Sequence, residues 1–287
     1  MKKVAVLGIS GFSGRYFEKY VFEAGYAGSY EFFGIDTNAS GAEHSGVFTY
    51  HECDATEGNA ISLLLEEVRP DYILNLIGTF HAETFEQYFR SNVDVTRLMC
   101  DAIIRAKIIP EKIILIGSAA EYGSVVSSPV RETDAPKPVN IYGITKLFQT
   151  QLAEYYFRNY ELPIVVARTF NTLGKGLSEN LSIGSFMSQI DATPDGGVIR
   201  VGNINTSRDF LHIANVVNRY WELLLKGKAG EIYNICSGVP MTIRSVLEDL
   251  IRESGKSLKI EIDPSRFKEK DIDSIYGDPS KYEELVR

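Results

Sequence analysis

Apolar residues along the chain alternate between two patterns. Short, nearly continuous runs at Val4–Leu7, Glu31–Ile35, Val47–Tyr50, Tyr72–Ile77, Ile113–Ile116 and Ile164–Ala167 have the length of strands buried on both faces. Between them apolar positions recur at helical spacing. Phe12, Tyr16, Phe17, Tyr20, Val21 and Ala24 form one such stripe, and Ile61, Leu64, Leu65 and Val68 form another that stops before Pro70. Longer stretches predict helices over about Thr84–Ala106 and Ile141–Asn159. Strands that alternate with helices imply a parallel sheet covered on both faces, which is an α/β, doubly wound nucleotide-binding architecture.

Beyond Asn171 the rhythm loosens. Leu173–Gly184 is rich in Gly, Ser and Asn and reads as a loop. Helices follow near Ser185–Ala192, Ile213–Lys226 and Ile243–Glu253, with strands at Val198–Val201, Ile232–Ile235 and Leu258–Ile262. The expected division is a dinucleotide-binding domain over 1–170, to which 198–235 returns, and a smaller C-terminal substrate-binding lobe built from 171–197 and 236–287. The tail Asp263–Arg287 is charged and weakly periodic.

Composition narrows the classes. Of 287 residues, 44% are hydrophobic and 24% charged, as expected of a folded, soluble enzyme rather than a disordered chain. The net charge of −8 argues against nucleic acid or an anionic membrane as partner. It leaves room for a small anion at a local positive site. No segment approaches 18 consecutive apolar residues, so no membrane span is predicted. Met1-Lys2-Lys3 before Val4–Ile9 imitates a leader peptide, but the run is short and enters a glycine turn, so it reads as a first strand. Cys53, Cys100 and Cys236 are scattered and lack zinc or disulfide spacing, which points to no metal and a reducing, cytoplasmic setting. His44, His51, His81 and His212 lack metal spacing as well.

Gly8, Gly11 and Gly14 form G-x-x-G-x-x-G between the first strand and first helix. Without side chains the backbone can turn tightly and approach a pyrophosphate, and the helix amino terminus offers N–H donors and a positive dipole end. No G-K-[ST] follows, so this is not a P-loop. Asp36 ends the second strand, 22 residues after Gly14. A carboxylate there accepts ribose hydroxyls and repels a 2′-phosphate, which favours NAD(H) while leaving NADP(H) possible. Asp54, after the third strand, is a candidate for the adenine amino group.

Tyr142 and Lys146 lie one helical turn apart. An ammonium beside a phenol is expected to lower the phenol's pKa and make it a usable acid or base. Ser118 follows the fifth strand, at the carboxyl edge of the sheet where ligands bind. The three side chains are expected to converge on one carbonyl.

With these motifs in place, the chain resembles the extended short-chain dehydrogenase/reductases, the NAD-dependent epimerase/dehydratase superfamily. The residues that carry the resemblance are Gly8-x-x-Gly11-x-x-Gly14, Asp36, Asn92, Ser118 with Tyr122-Gly123, Tyr142-x-x-x-Lys146, Arg168-x-Phe170-Asn171 and Arg208-Asp209-Phe210. It implies a Rossmann-type fold and a dinucleotide site lined by Gly8, Gly11, Phe12, Ser13, Gly14, Asp36, Asp54, Ala55, Leu76, Ile77, Gly78, Asn92, Tyr142 and Lys146. It further implies a nucleotide-diphosphate sugar as substrate, with Thr79, Ser118, Glu121, Asn171, Arg208 and Arg266 as candidates to touch it. Arg208 and Arg266 suit phosphate oxygens. Within the superfamily the second half is most similar to GDP-6-deoxy-4-keto-hexose reductases. The similar stretches are Gly184–Gln189, Val201-Gly202-Asn203, Glu231–Gly238, Asp263–Arg266 leading to Asp271, and Gly277–Lys281.

The resemblance implies hydride delivery to a keto sugar, with Tyr142 as proton donor, Ser118 hydrogen-bonding the same oxygen, Lys146 holding the nicotinamide ribose, and Asn92 holding backbone or a water. Sugar-nucleotide dehydratases also carry acids after the hydroxyl, where this chain has Ala119 and Ala120, so a dehydratase is disfavoured. An NAD-dependent epimerase is the alternative, and a non-catalytic dinucleotide-binding protein a further one. Phe85, Tyr88 and Phe89 on one helix and Phe148, Tyr155 and Tyr156 on another imply, by the resemblance, a homodimer. Two departures stand out. Leu76-Ile77-Gly78 replaces the usual paired alanines, and the chain stops at Arg287, earlier than most of that superfamily, which implies either a trimmed small lobe or a shortened chain.

Overall fold

A computed structural model describes residues 1–38, 46–57, 59–125, 128–267 and 273–287. His44 and Asp271, singled out above, lie outside the described residues. Among the described residues the strands are β1 (Lys2–Leu7), β2 (Tyr30–Asp36), β3 (Phe48–Glu52), β4 (Tyr72–Asn75), β5 (Lys112–Ser118), β6 (Ile164–Thr169), β7 (Asn171–Leu173), β8 (Val198–Val201), β9 (Ser207–His212), β10 (Ile232–Ile235), β11 (Pro240–Thr242), β12 (Lys259–Ile262) and β13 (Ser274–Ile275). The helices are α1 (Phe12–Glu23), α2 (Ala60–Val68), α3 (Phe85–Phe89), α4 (Val95–Arg105), α5 (Ile141–Tyr160), α6 (Ser182–Ala192), α7 (Ile213–Lys226), α8 (Ile243–Ser254) and α9 (Ser280–Val286).

Seven strands form one parallel sheet in the order β3-β2-β1-β4-β5-β6-β10. Their side chains are buried on both faces, which is why they read as continuous apolar runs. On one face Leu7, Ile35, Ile73, Ile113 and Leu115 meet Ile61 and Leu65 of α2, Met99 and Ile103 of α4, and Ala153 and Tyr156 of α5. On the other face Val4, Val6, Leu74, Ile114 and Val165 meet Phe17 and Val21 of α1 and Val216, Tyr220, Trp221 and Leu224 of α7. The strand order reverses between β1 and β4, and that crevice is where an open sheet of this kind receives a ligand.

The stretch expected as one helix over Thr84–Ala106 contains α3 and α4 joined by a π-wound turn, Arg90–Asp94. The extra residue per turn carries Asn92 into the interior, where it is fully buried.

The expected division needs correction. Residues 198–212 do not return to the large sheet. β8 pairs with β12, and β9 pairs with β7, β11 and β13, in two small sheets. Only α7 and β10 rejoin the large domain. The tail is not a loose charged segment of the lobe, because α9 buries Tyr282 and packs Leu285 and Val286 against the core around α7 and β10. The lobe has its own core of Ile183, Phe186, Ile190, Ile199, Val201, Phe210, Val246 and Leu247. Asp209 organises it. This fully buried carboxylate accepts the backbone N–H groups of Ser237, Gly238 and Gly277 and the Ser237 hydroxyl.

Candidate active site

The glycine turn leaves β1 at Gly8, whose φ of +81° suits glycine. A Cβ on Gly8 would stand 3.1 Å from the Ile77 nitrogen, so the ends of β1 and β4 are in contact across the crevice. A Cβ on Gly14 would lie 2.2 Å from the Ile9 carbonyl oxygen, which holds α1 tight against the turn. No side chain caps the amino terminus of α1 at Gly11. Its N–H groups, Phe12 and Ser13 included, therefore face the crevice as donors for an anion. Asp36, at the end of β2, accepts the backbone N–H of Ser10 at 2.9 Å and of Thr37 at 2.8 Å. Asp54 accepts the Thr56 N–H and hydroxyl, which hold its carboxyl below the usual range, and Ala55 is buried beside it. These residues fit a nicotinamide dinucleotide: a bare glycine turn and helix terminus for the pyrophosphate, and a carboxylate for a ribose diol.

The loop after β4, Leu76–Thr79, is pinned from below. Asn92 accepts the Thr79 N–H (2.8 Å), donates to the Thr79 carbonyl (2.9 Å) and donates to the Thr145 hydroxyl (3.0 Å). Of the two roles open to Asn92, the structure shows it holding backbone. Gly78 leaves room for its neighbours, since a Cβ there would meet Lys146 Nζ at 2.9 Å and Asn92 Oδ1 at 3.0 Å.

Tyr142 and Lys146 enter on the first turns of α5, which Asn140 caps by accepting the Gly143 N–H at 2.8 Å. A Cβ on Gly143 would lie 2.4 Å from the Ala120 carbonyl oxygen. The turn after Ser118 and the turn bearing Tyr142 are thus in backbone contact. The Ser118 hydroxyl accepts the Ala120 N–H at 3.2 Å, within the same turn that Gly143 abuts. Lys146 Nζ donates to the Ile116 carbonyl at 2.8 Å and to Gln149 Oε1 at 3.0 Å.

Electrostatics correct one expectation. Lys146 does not lower the Tyr142 pKa in this arrangement. Burial pushes the phenol up, with Ser118 opposing. Burial also brings the Lys146 ammonium down to about 8, with Glu121 opposing. Both groups sit on the first turns of α5 beside the crevice, and desolvation is the largest influence on each.

Among the substrate candidates, Thr79 and Ser118 lie at the carboxyl ends of β4 and β5, beside the crevice, but Glu121 does not face a ligand. It is fully buried and in an ion pair with Arg168, 2.7 Å from Nη2. Asn171 and Arg208 sit together in the lobe, on β7 and β9. Asn171 donates to the Asp209 carbonyl at 3.0 Å, and Arg208 Nη1 donates to the Ser207 carbonyl at 2.8 Å. Arg266 is exposed, donating to the Arg200 carbonyl at 2.8 Å and lying 3.5 Å from Asp263. His81 is an exposed loop residue, and His212 caps α7 by accepting the Ala214 N–H.

The residues that sequence reasoning missed are supports: Thr145, Gln149, Thr150 and Gly117. Polar residues on the buried face of α5 were their signal. Among the described residues, no group of His, Cys, Asp or Glu could hold a metal ion, and no helix is long and apolar enough to cross a membrane.

Comparison with known proteins agrees with this geometry. The model of the NAD dependent epimerase/dehydratase family matches residues 4–236. GDP-6-deoxy-D-mannose reductase of Pseudomonas aeruginosa is 31% identical over 236 residues, covering 79% of this chain and 77% of that protein. GDP-6-deoxy-D-talose 4-dehydrogenase of Aggregatibacter actinomycetemcomitans is 25% identical with the same coverage. Among solved structures, a putative epimerase from Burkholderia cenocepacia superposes with a TM-score of 0.85 at 28% identity, covering 99% of this chain and 91% of that one. RMD from Pseudomonas aeruginosa complexed with NADPH superposes with a TM-score of 0.83 at 25% identity, covering 99% and 92%.

Proposed function

The chain belongs to the NAD dependent epimerase/dehydratase family, and we propose that it reduces the 4-keto group of a GDP-linked 6-deoxyhexose with NADH. Within the extended short-chain dehydrogenase/reductases it is a nucleotide-sugar-modifying enzyme. The observation that carries the proposal is the juxtaposition of Ser118, Tyr142 and Lys146 at the crevice, with alanine at 119 and 120. Such a site has a proton donor for a carbonyl oxygen but no acid to expel a hydroxyl. The 31% identity to a GDP-6-deoxy-D-mannose reductase supports the sugar and the direction.

A dihydronicotinamide held at the crevice by the glycine turn and Asp36 would supply hydride for the sugar's carbonyl carbon. As the C=O electron pair settles on oxygen, Tyr142 gives that oxygen its proton. Ser118 donates a hydrogen bond to the same atom, stabilising charge that develops only in the transition state. Lys146 supplies positive charge beside the phenol, and Asn92 keeps the Leu76–Thr79 wall in place. Arg208 and Asn171 face the nucleotide diphosphate and the sugar. Asp36 meets the adenosine ribose and favours NADH over NADPH.

Tyr142→Phe tests the assignment. It keeps the ring but removes the proton, and kcat is expected to fall about 10²–10⁴-fold with NADH affinity within about twofold. A Tyr142→Phe enzyme that reduces the keto sugar at the native rate would overturn it. The exposed aromatic face of Phe85, Phe148 and Tyr155 supports assembly as a homodimer. Sedimentation at micromolar concentration is expected to give twice the chain mass, and a monomer mass refutes the dimer.

A further inference from the structure

Glu121 stands behind the site rather than in it, and its contacts join β5 and α5, the two elements that carry the catalytic groups, to β6. Oε1 accepts the Ser118 N–H at 2.8 Å, at the end of β5. Oε2 accepts the Thr150 hydroxyl at 2.8 Å, one turn beyond Lys146 on α5. The same oxygen accepts Arg168 Nε at 3.0 Å and Nη2 at 2.7 Å, from β6. Arg168 is itself 2% exposed, and its guanidinium lies over the Tyr122 ring at 4.5 Å. Tyr122 is anchored in turn to Asn234 of β10, whose N–H reaches Glu132. The backbone makes way for the carboxylate, because a Cβ on Gly117 would lie 2.7 Å from Glu121 Oε1. Replacing a buried ion pair by apolar groups is often neutral for stability, so stability alone does not explain such an arrangement.

We propose that Glu121, clamped by Arg168, is a positioning residue. It fixes Ser118 against the helix that bears Tyr142 and Lys146, and it supplies the buried negative charge that those two groups face. The effect on turnover rests on the function proposed above, whereas the effect on Lys146 does not.

Two readouts separate these. In protein labelled with 15N-lysine, with Lys146→Met assigning the resonance, the Lys146 ammonium of the wild type titrates at about 8. In Glu121→Gln the midpoint moves down by about half a unit or more, because an attractive charge is gone and Arg168 is left unpaired. In Glu121→Gln/Arg168→Met, which removes both charges of the pair and leaves no unpaired buried cation to threaten folding, it returns towards the wild-type value. A merely structural role would loosen and wet the pocket, moving the midpoint up towards that of free lysine. With GDP-6-deoxy-4-keto-mannose as the probe, kcat falls about tenfold or more while KM and NADH affinity stay within about twofold. An unmoved or raised Lys146 midpoint in Glu121→Gln, or a native kcat with that probe in the double variant, overturns the proposal. Failure of the wild type to turn over the probe refutes the proposed function and leaves the titration to decide on Glu121.

Discussion

Replacing Gly143 by alanine gives opposite answers from local propensity and from packing. Alanine is the better helix former by about 1 kcal/mol, so propensity alone predicts a more stable α5. The contact predicts the reverse. The added methyl would sit 2.4 Å from the Ala120 carbonyl oxygen, about 1 Å short of ordinary contact at 3.4 Å. Backbone lies on both sides of that clash, so neither partner can rotate away. The first turn of α5 must lift off the Ser118–Glu121 turn by roughly that 1 Å, carrying Tyr142 away from Ser118. A misplacement of this size costs about 10²-fold in rate, equivalent to about 2.7 kcal/mol of barrier. The assay is kcat for keto-sugar reduction, beside NADH affinity and the melting temperature. The expected result is a rate loss of about 10²-fold in a protein that still folds and still binds NADH within about threefold. A Gly143→Ala enzyme with native kcat would refute the view that this backbone contact sets the distance between Ser118 and Tyr142.

The remaining predictions concern charge. Asp36→Asn keeps an acceptor oxygen for one of the Ser10 and Thr37 N–H groups, which use different carboxylate oxygens, and removes the repulsion of a 2′-phosphate. NADPH affinity should therefore rise about tenfold relative to NADH, read by cofactor fluorescence; an unchanged ratio would discard Asp36 as the selector. The Lys146 ammonium is depressed to about 8, so it is charged below that pH and lost as pH rises through it. The kcat/KM profile should fall above pH 8 by this loss, and Lys146→Met should flatten that limb. For stability the sign is opposite: between about 8 and 10.5 the unfolded chain binds the extra proton, so this group makes the fold gain stability as pH rises through that window.

The large sheet was legible because its strands are buried on both faces and need no partner to be recognised. The lobe was not. β7, β11 and β13 are two or three residues long, too short for period-two alternation, and β9 joins partners distant in sequence. The tail misled for a related reason. Its charges flank scattered anchors, Ile275, Tyr282, Leu285 and Val286, whose spacing makes no clear periodic signal. At the site, the groups that face the crevice were named from motifs, whereas the groups behind it were not. Glu121 was named, but as a substrate contact, whereas it lies buried behind the site. Ser118-Ala-Ala-Glu121 is the S-x-x-E spacing of a capping box, in which the glutamate folds back on its own turn. That pattern, with glycine at 117, was visible in the chain. The expectation that Lys146 would acidify Tyr142 failed because sequence spacing shows proximity but not desolvation.

The central claim is net reduction of a keto sugar. It is tested most directly by incubating the enzyme with GDP-6-deoxy-4-keto-mannose and NADH deuterated at the transferable position of C4. The account predicts one NAD+ formed per sugar reduced and one deuterium at sugar C4. Cofactor that stays bound through the reaction with no net oxidation, while the configuration at C4 of a saturated sugar nucleotide inverts, would contradict it and assign the chain to the epimerases.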